Sequence, residues 1–159
     1  MSEADSILEI GSRFGYNLLF MAVSMKGNRL LSVDWPDAEG FNMGEVVHKE
    51  LLYQGQKLKK AGFDINFIFG NSHTESVFEQ VKKHGTFHTV FIDGDHSYEG
   101  VKQDYEMYGP LAEKQIIFHD VAPGNQIGVA QFWAEVEGDK EDYIGVGSKM
   151  GIGRIKVGH

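Results

Sequence analysis

The chain has 159 residues, 42% hydrophobic and 24% charged, which suits one soluble globular domain with a sizeable core. A formal net charge of −8 leaves no basic stripe to displace counterions, so unassisted binding to a nucleic-acid backbone is not expected. With no cysteine, disulfides, thiolate metal sites and cysteine nucleophiles are excluded as well, and no apolar run reaches the ~18 residues of a membrane span.

The first element is the apolar run 7–10, interrupted only by Glu9, which reads as a short buried strand. The turn Gly11-Ser12-Arg13-Phe14-Gly15 follows and leads into a helix. Such a turn brings backbone close to a charged small molecule at the mouth of a parallel sheet. From Tyr16 to Met25 the helix is apolar nearly all round, which predicts deep burial. The second run, 30–34, ends in Asp34, an acid placed to take the two hydroxyls of a ribose. The loop 35–45 is long and carries Trp35 and Phe41, so it reads as a flap.

Val47, Leu51 and Leu58 recur at helical spacing, with Lys57, Lys59 and Lys60 on a solvated face. The run 65–69 precedes Asn71, Ser72 and His73, and Ser72 with Glu75 predicts a capping box on the helix bearing Val77 and Val81. The run 88–93 leads into a helix carrying Tyr98, Val101, Tyr105 and Tyr108, a stripe that reads as core. The run 115–120 is followed by a helix with Val129, Trp133 and Val136, and then by the runs 142–147 and 152–157. Residues 148–151 alone separate these last two, far fewer than a parallel crossover needs, so they must pair antiparallel. Strands alternating with helices predict an α/β fold: a seven-stranded, mostly parallel sheet with an antiparallel last strand and helices on both faces.

This order, five βα units and then a reversed final strand, resembles the Rossmann-like class I S-adenosylmethionine-dependent methyltransferases. The resemblance runs through Glu9-Ile10-Gly11-Ser12-Arg13-Phe14-Gly15-Tyr16-Asn17, Asp34, Gly70-Asn71-Ser72, Phe91-Ile92-Asp93-Gly94-Asp95-His96-Ser97-Tyr98 and Ile116-Ile117-Phe118-His119-Asp120. The nearest branch is that of the catechol and macrocin O-methyltransferases, which also lack the third glycine of the turn, where Arg13 stands. The resemblance implies S-adenosylmethionine as cofactor, held by Glu9, Gly11, Ser12, Arg13, Gly15, Asn17, Asp34, Asn71, Ser72, His73 and Asp93. Asn17 stands where a serine commonly meets the methionine carboxylate, and Asn71 where many relatives carry an acid. Asn71 still offers a donor and an acceptor to the adenine amine. Phe14, Trp35 and Phe69 are aromatic candidates to cover the adenine face, although such residues are more often core.

Methyl transfer starts from an activated sulfonium, so the protein must mainly position the acceptor and manage the proton of its hydroxyl. Two mechanisms fit the strand ends. In one, a divalent metal such as Mg2+ binds Asp93 and Asp120, with His119 or Asp95 as a further ligand. The macrocin-like enzymes have an aspartate where His119 stands, and the catechol enzymes an asparagine where Val121 stands. In the other, His96 or His119 is the general base beside Asp93, and His96 takes the place of the catechol enzymes' lysine. His48, His84, His88 and His159 have no such company and read as structural or surface residues.

The expected reaction is O-methylation of a small-molecule hydroxyl, sugar or catechol-like. Two other classes stay in view: a non-catalytic S-adenosylmethionine-binding protein, and an NAD-dependent oxidoreductase, which the missing third glycine and the terminal hairpin disfavour. Residues 1–159 are expected to form a single methyltransferase domain without an N-terminal cap segment. No leader or membrane span is evident, so a cytoplasmic placement without a membrane partner is expected, and a homo-oligomer is compatible with the sequence.

Overall fold

Every residue of β1 (Ser6–Ile10) is buried, as its apolar run requires of a strand covered on both faces. The structure, a computed structural model, describes residues 4–37, 43–124 and 128–158. Part of the expected flap 35–45 (residues 38–42) and His159 lie outside the described residues.

From β1 the chain continues through α1 (Tyr16–Ala22), β2 (Arg29–Asp34), α2 (Gly44–Lys60), β3 (Asp64–Phe69), α3 (Glu75–Lys82) and β4 (Phe87–Ile92). It ends with α4 (Tyr98–Tyr108), β5 (Ala112–His119), α5 (Gly128–Glu135), β6 (Asp139–Tyr143) and β7 (Ile152–Lys156). The seven strands stand in the order β3-β2-β1-β4-β5-β7-β6, and β7 runs antiparallel to both β5 and β6. The expected reversal of the last strand is therefore present. The chain direction of the connections switches between β1 and β4, so a crevice opens where those strands end.

Alternation along the strands divides the core into two layers. Leu8, Ile10, Leu31, Val33, Val90, Ile92, Ile116 and Phe118 face α3, α4 and α5, which contribute Val77, Val81, Val101, Phe132 and Trp133. Ile7, Leu30 and Ile65 face α1 and α2, which contribute Leu18, Leu51 and Leu58. Truncating one such side chain, Leu51 for example, costs about 2–5 kcal/mol.

Two expectations are corrected here. The first helix is not buried all round: Leu18 and Ala22 are buried, whereas Tyr16, Phe20 and Val23 are exposed. A helix between a sheet and solvent buries one stripe, and two turns place Tyr16, Phe20 and Val23 on the other. The sixth strand lies at Asp139–Tyr143, earlier than the apolar run 142–147. Edge position explains the difference. Glu141 pairs with Arg154 and, at 2.5 Å, with Lys156 of β7, so a charged strand suits the rim, and the apolar residues that follow form the connection. Among the described residues, no helix is long and apolar enough to cross a membrane.

Candidate active site

The ends of β1 and β4 meet at Gly11. Its backbone has φ +88°, its amide donates to the Val33 carbonyl at 2.8 Å, and a Cβ there would lie 2.3 Å from the Asp93 carbonyl oxygen. Only glycine lets the turn pass between the two strand ends. Gly15 closes the turn at φ +78°, its amide donating to the Ser12 carbonyl at 2.8 Å, and Arg13 between them also has a left-handed φ, 48°.

Around this turn a cleft of about 800 Å³ is lined by the ends of five strands, including Asp34, Asn71, Asp93, His96 and His119. Of the residues predicted to hold the cofactor, Gly11, Ser12, Arg13, Asn17, Asp34, Asn71, Ser72, His73 and Asp93 line it. Gly15 sits behind the turn, packed toward Leu51 and Gln54 of α2.

Glu9 is not among the residues that line the cleft. It is wholly buried under the turn, where Ser12 Oγ donates to its Oε2 and Ser32 Oγ donates to Ser12 Oγ at 2.6 Å. Burial pushes its pKa up to about 8, against the lowering effect of the Ser12 hydrogen bond, so the side chain is largely protonated at neutral pH. The Ser12 hydrogen bond ties it to the turn.

Asp34 ends β2 at the cleft wall, 7% exposed, and accepts the Arg13 amide at 2.8 Å. Burial raises its pKa, and the Arg13 amide and the nearby His48 oppose the shift. His48 thus has a place near the site that the sequence did not indicate; its ring also packs on Phe69, with centroids 4.4 Å apart. Of the three aromatic candidates, Phe14 and Trp35 line the cleft, while Phe69 packs on His48 and Phe67.

The loop after β3 differs from the predicted capping box. Thr74 is the N-cap of α3, and Ser72 Oγ donates instead to Asp104 Oδ1 at 2.8 Å. Asn71 turns the chain locally: its Oδ1 accepts the His73 amide at 2.9 Å, and Thr74 Oγ1 donates to its carbonyl at 2.8 Å, which delays the helix start. Sequence reasoning missed Asp104 altogether, because one acid within a tyrosine stripe carries no sign of its tertiary partner.

At the ends of β4 and β5 four side chains converge. His96 Nε2 lies 3.1 Å from Asp93 Oδ1, and its Nδ1 lies 3.5 Å from Asp120 Oδ2. His119 Nδ1 lies 3.2 Å from Asp120 Oδ2 and 3.6 Å from Asp93 Oδ1. Asp120 adopts φ 64°, a conformation unusual for a non-glycine residue and common at functional sites. The Asp93 hydrogen bond holds the His96 pKa above its ordinary value, against the effect of burial. Asn17 Nδ2 donates to Asp93 Oδ2 at 3.1 Å, which ties α1 to this cluster.

One donor atom each from Asp93, His119 and Asp120 lies within 4.8 Å of the others, close enough to share a metal ion. His119 Nδ1 is buried and, although 3.2 Å from Asp120 Oδ2, makes no hydrogen bond with it. Asp95 is placed differently from the alternative ligand it was expected to be. Its Oδ1 accepts the Ser97 amide at 2.8 Å, and its carboxyl packs where a Gly100 Cβ would stand, so it shapes the start of α4.

A family model described as a methyltransferase domain matches residues 8–121. Among solved structures, an O-methyltransferase from Streptomyces achromogenes involved in tomaymycin synthesis, in complex with S-adenosylmethionine, is 16% identical with a TM-score of 0.70. The alignment covers 99% of this chain and 74% of that one. An O-methyltransferase from Bacillus cereus in complex with S-adenosylhomocysteine is 18% identical with a TM-score of 0.68, covering 97% of this chain and 74% of that one. An S-adenosylhomocysteine-bound methyltransferase from Podospora anserina is 15% identical, covering 95% of this chain and 70% of that one, with a TM-score of 0.61. At these identities the likeness shows the shared fold. No curated protein matches the chain.

Proposed function

The chain belongs to this methyltransferase-domain family, and from that premise we propose that it is an S-adenosylmethionine-dependent O-methyltransferase acting on a small-molecule hydroxyl. One observation carries the reading: a single cleft has Asp34 on one wall and the Asp93, His96, His119 and Asp120 cluster on another. Asp34, buried and acceptor-only when ionised, suits the ribose diol, and its carboxylate has lone pairs beyond the one used by Arg13. The glycine turn lets the methionine part lie against backbone, and Asn17 stands beside it. Asn71, Ser72 and His73 border the adenine end.

The sulfonium needs no further activation, so the residues at the β4 and β5 ends have two tasks, to orient the acceptor and to take its proton. Neutral His96 accepts the hydroxyl proton as the acceptor oxygen bonds to the methyl carbon. S-adenosylmethionine, when bound, would supply that methyl group and keep the electron pair of the S–CH3 bond on sulfur as a thioether. Asp93 and Asp120, on either side of the ring, then stabilise the imidazolium. The donor set of Asp93, His119 and Asp120 fits a divalent ion, which when bound lowers the pKa of the acceptor hydroxyl and orients it. An imidazole among the donors makes that set less selective for Mg2+ than an all-oxygen site. Sugar and catechol-like hydroxyls are the acceptor classes this reading favours, by resemblance.

Calorimetric titration with S-adenosylmethionine, S-adenosylhomocysteine, NAD and ATP tests the proposal. Binding of the two sulfur nucleosides at micromolar concentration, without NAD, is the expected result. Binding of NAD with neither sulfur nucleoside would overturn it.

A further inference from the structure

The turn that carries His96 is held by two helices. His96 stands just before Ser97, the N-cap of α4, whose side chain accepts the Gly100 amide at 3.0 Å and whose carbonyl accepts the Val101 amide at 3.0 Å. The His96 carbonyl thus precedes the first one that α4 uses. It accepts instead from the amide of Gly128, the residue at which α5 begins, at 2.8 Å. An amide in the first turn of a helix has no intrahelical acceptor, so this one contact satisfies two backbone groups.

The approach is closer than any side chain allows. A Cβ on Gly128 would lie 1.8 Å from the Tyr98 amide nitrogen, 2.4 Å from the Ser97 carbonyl carbon and 2.5 Å from Tyr98 Cα. The obstacle is backbone, which cannot swing aside as the end of a flexible side chain would. Farther along α5, Phe132 packs edge-on against Tyr98 with centroids 6.2 Å apart, and Glu135 Oε2 accepts from Tyr98 OH at 2.7 Å. Helix α5 is therefore fitted to the start of α4 from its first residue to its last. Nonbonded atoms need about 3.5 Å, so an alanine at 128 would part the two backbones by roughly 1.5 Å.

The His96 ring has no such margin. Its Nε2 lies 3.1 Å from Asp93 Oδ1, and its Nδ1 lies 3.5 Å from Asp120 Oδ2. A displacement of about half an ångström takes the first pair out of hydrogen-bond range, and a misplacement of ~1 Å at a reacting group costs about 100-fold in rate. Asp93 is fixed independently of α5, its amide donating to the Ile10 carbonyl at 2.9 Å. A shift of the turn therefore moves the ring relative to its carboxylate.

We propose that Gly128 is a positioning residue for the reaction: its backbone, touching residues 96–98 directly, sets the turn that keeps the His96 imidazole between Asp93 and Asp120. No described residue of α5 lines the cleft, so its part in the site is played wholly through the turn. The inference rests on the reading of His96 as the base of an O-methyltransferase.

The test compares the whole chain with its Gly128→Ala variant in two measurements. One is the ring 15N signals of His96 in histidine-labelled protein, taken at one neutral pH and assigned by their absence from His96→Gln. The other is calorimetric titration with S-adenosylhomocysteine. In Gly128→Ala the His96 signals are expected to change from those of a hydrogen-bonded imidazole to those of a free one, while S-adenosylhomocysteine binds within about threefold of the wild type, a factor worth under about 0.7 kcal/mol. The signals of His84 and His88, at the other end of β4, are expected to stay unchanged. A variant that melts earlier but keeps the wild-type His96 signals shows a packing role only and overturns the inference. If Gly128→Ala does not fold, the backbone ester made with glycolic acid at position 128 replaces the amide donor by oxygen and adds no side chain; the same change at His96 is expected, and unchanged signals overturn the inference. A wild type whose His96 ring already gives the signals of a free imidazole overturns it too. A wild type that binds no S-adenosylhomocysteine overturns the methyltransferase reading instead, whatever the ring signals show.

Discussion

Replacing Glu9 by glutamine should stabilise the protein at neutral pH and flatten its pH–stability curve. Glu9 is wholly inside β1, and its pKa is pushed from 4.5 to about 8, first by burial and then by the charges of Asp93 and Asp34, with the Ser12 hydrogen bond opposing. Between those two values the folded chain holds a proton that the unfolded chain has released. The folded state therefore binds more protons, and stability falls as pH rises across that window, by up to about 1.4 kcal/mol per pH unit. Between about pH 5 and about pH 7.5 the integrated loss from this one group is roughly 3 kcal/mol. Glutamine keeps an acceptor for Ser12 Oγ and carries no charge at any pH, so it removes that loss. The assay is urea unfolding of wild type and Glu9→Gln at both pH values at matched ionic strength. The two proteins should be close in stability at the acid end and separate by about 3 kcal/mol at the higher pH. Other titrating groups are common to both proteins and cancel in the difference. Parallel curves would mean that Glu9 is ionised in the folded state, and the burial argument would fail.

Asp34→Ala should weaken S-adenosylhomocysteine binding by roughly 1–3 kcal/mol in calorimetry, the loss expected on removing hydrogen bonds to a charged group; an unchanged affinity takes Asp34 out of the site. Gly11→Ala places a Cβ 2.3 Å from the Asp93 carbonyl at φ +88°, so it should lower stability by more than about 2 kcal/mol and abolish cofactor binding, and a variant that melts and binds like wild type refutes the close approach. If Asp93, His119 and Asp120 hold a divalent ion, Mn2+ should raise the melting temperature of the wild type and not of His119→Ala. No shift in either protein, with methyl transfer persisting in EDTA, would leave His96 as a base acting alone.

Much of the architecture follows from short-range pattern. Apolar runs such as Ile7-Leu8 and Leu30-Leu31, separated by amphipathic segments, require strands covered on both faces by helices. The short link before Ile152 requires a reversed final strand, because a parallel return needs more chain. The places of Gly11 and Asp34 at the cleft were legible for a similar reason: each is fixed by its own backbone or by the end of its own strand. Tertiary structure alone decided which side chains meet. Ser72 has the local spacing of a cap, yet its hydroxyl goes to Asp104, 32 residues away, because α4 packs beside the loop. Glu9 stands in the motif beside the turn, and only the fold shows it wholly buried with Ser12 donating to it. Charged residues form β6 because an edge strand pairs on one side only and its neighbour supplies Arg154 and Lys156. Local sequence sets backbone conformation through sterics and periodic burial, whereas long-range hydrogen bonds and charge pairs depend on distances that exist only once the chain has folded.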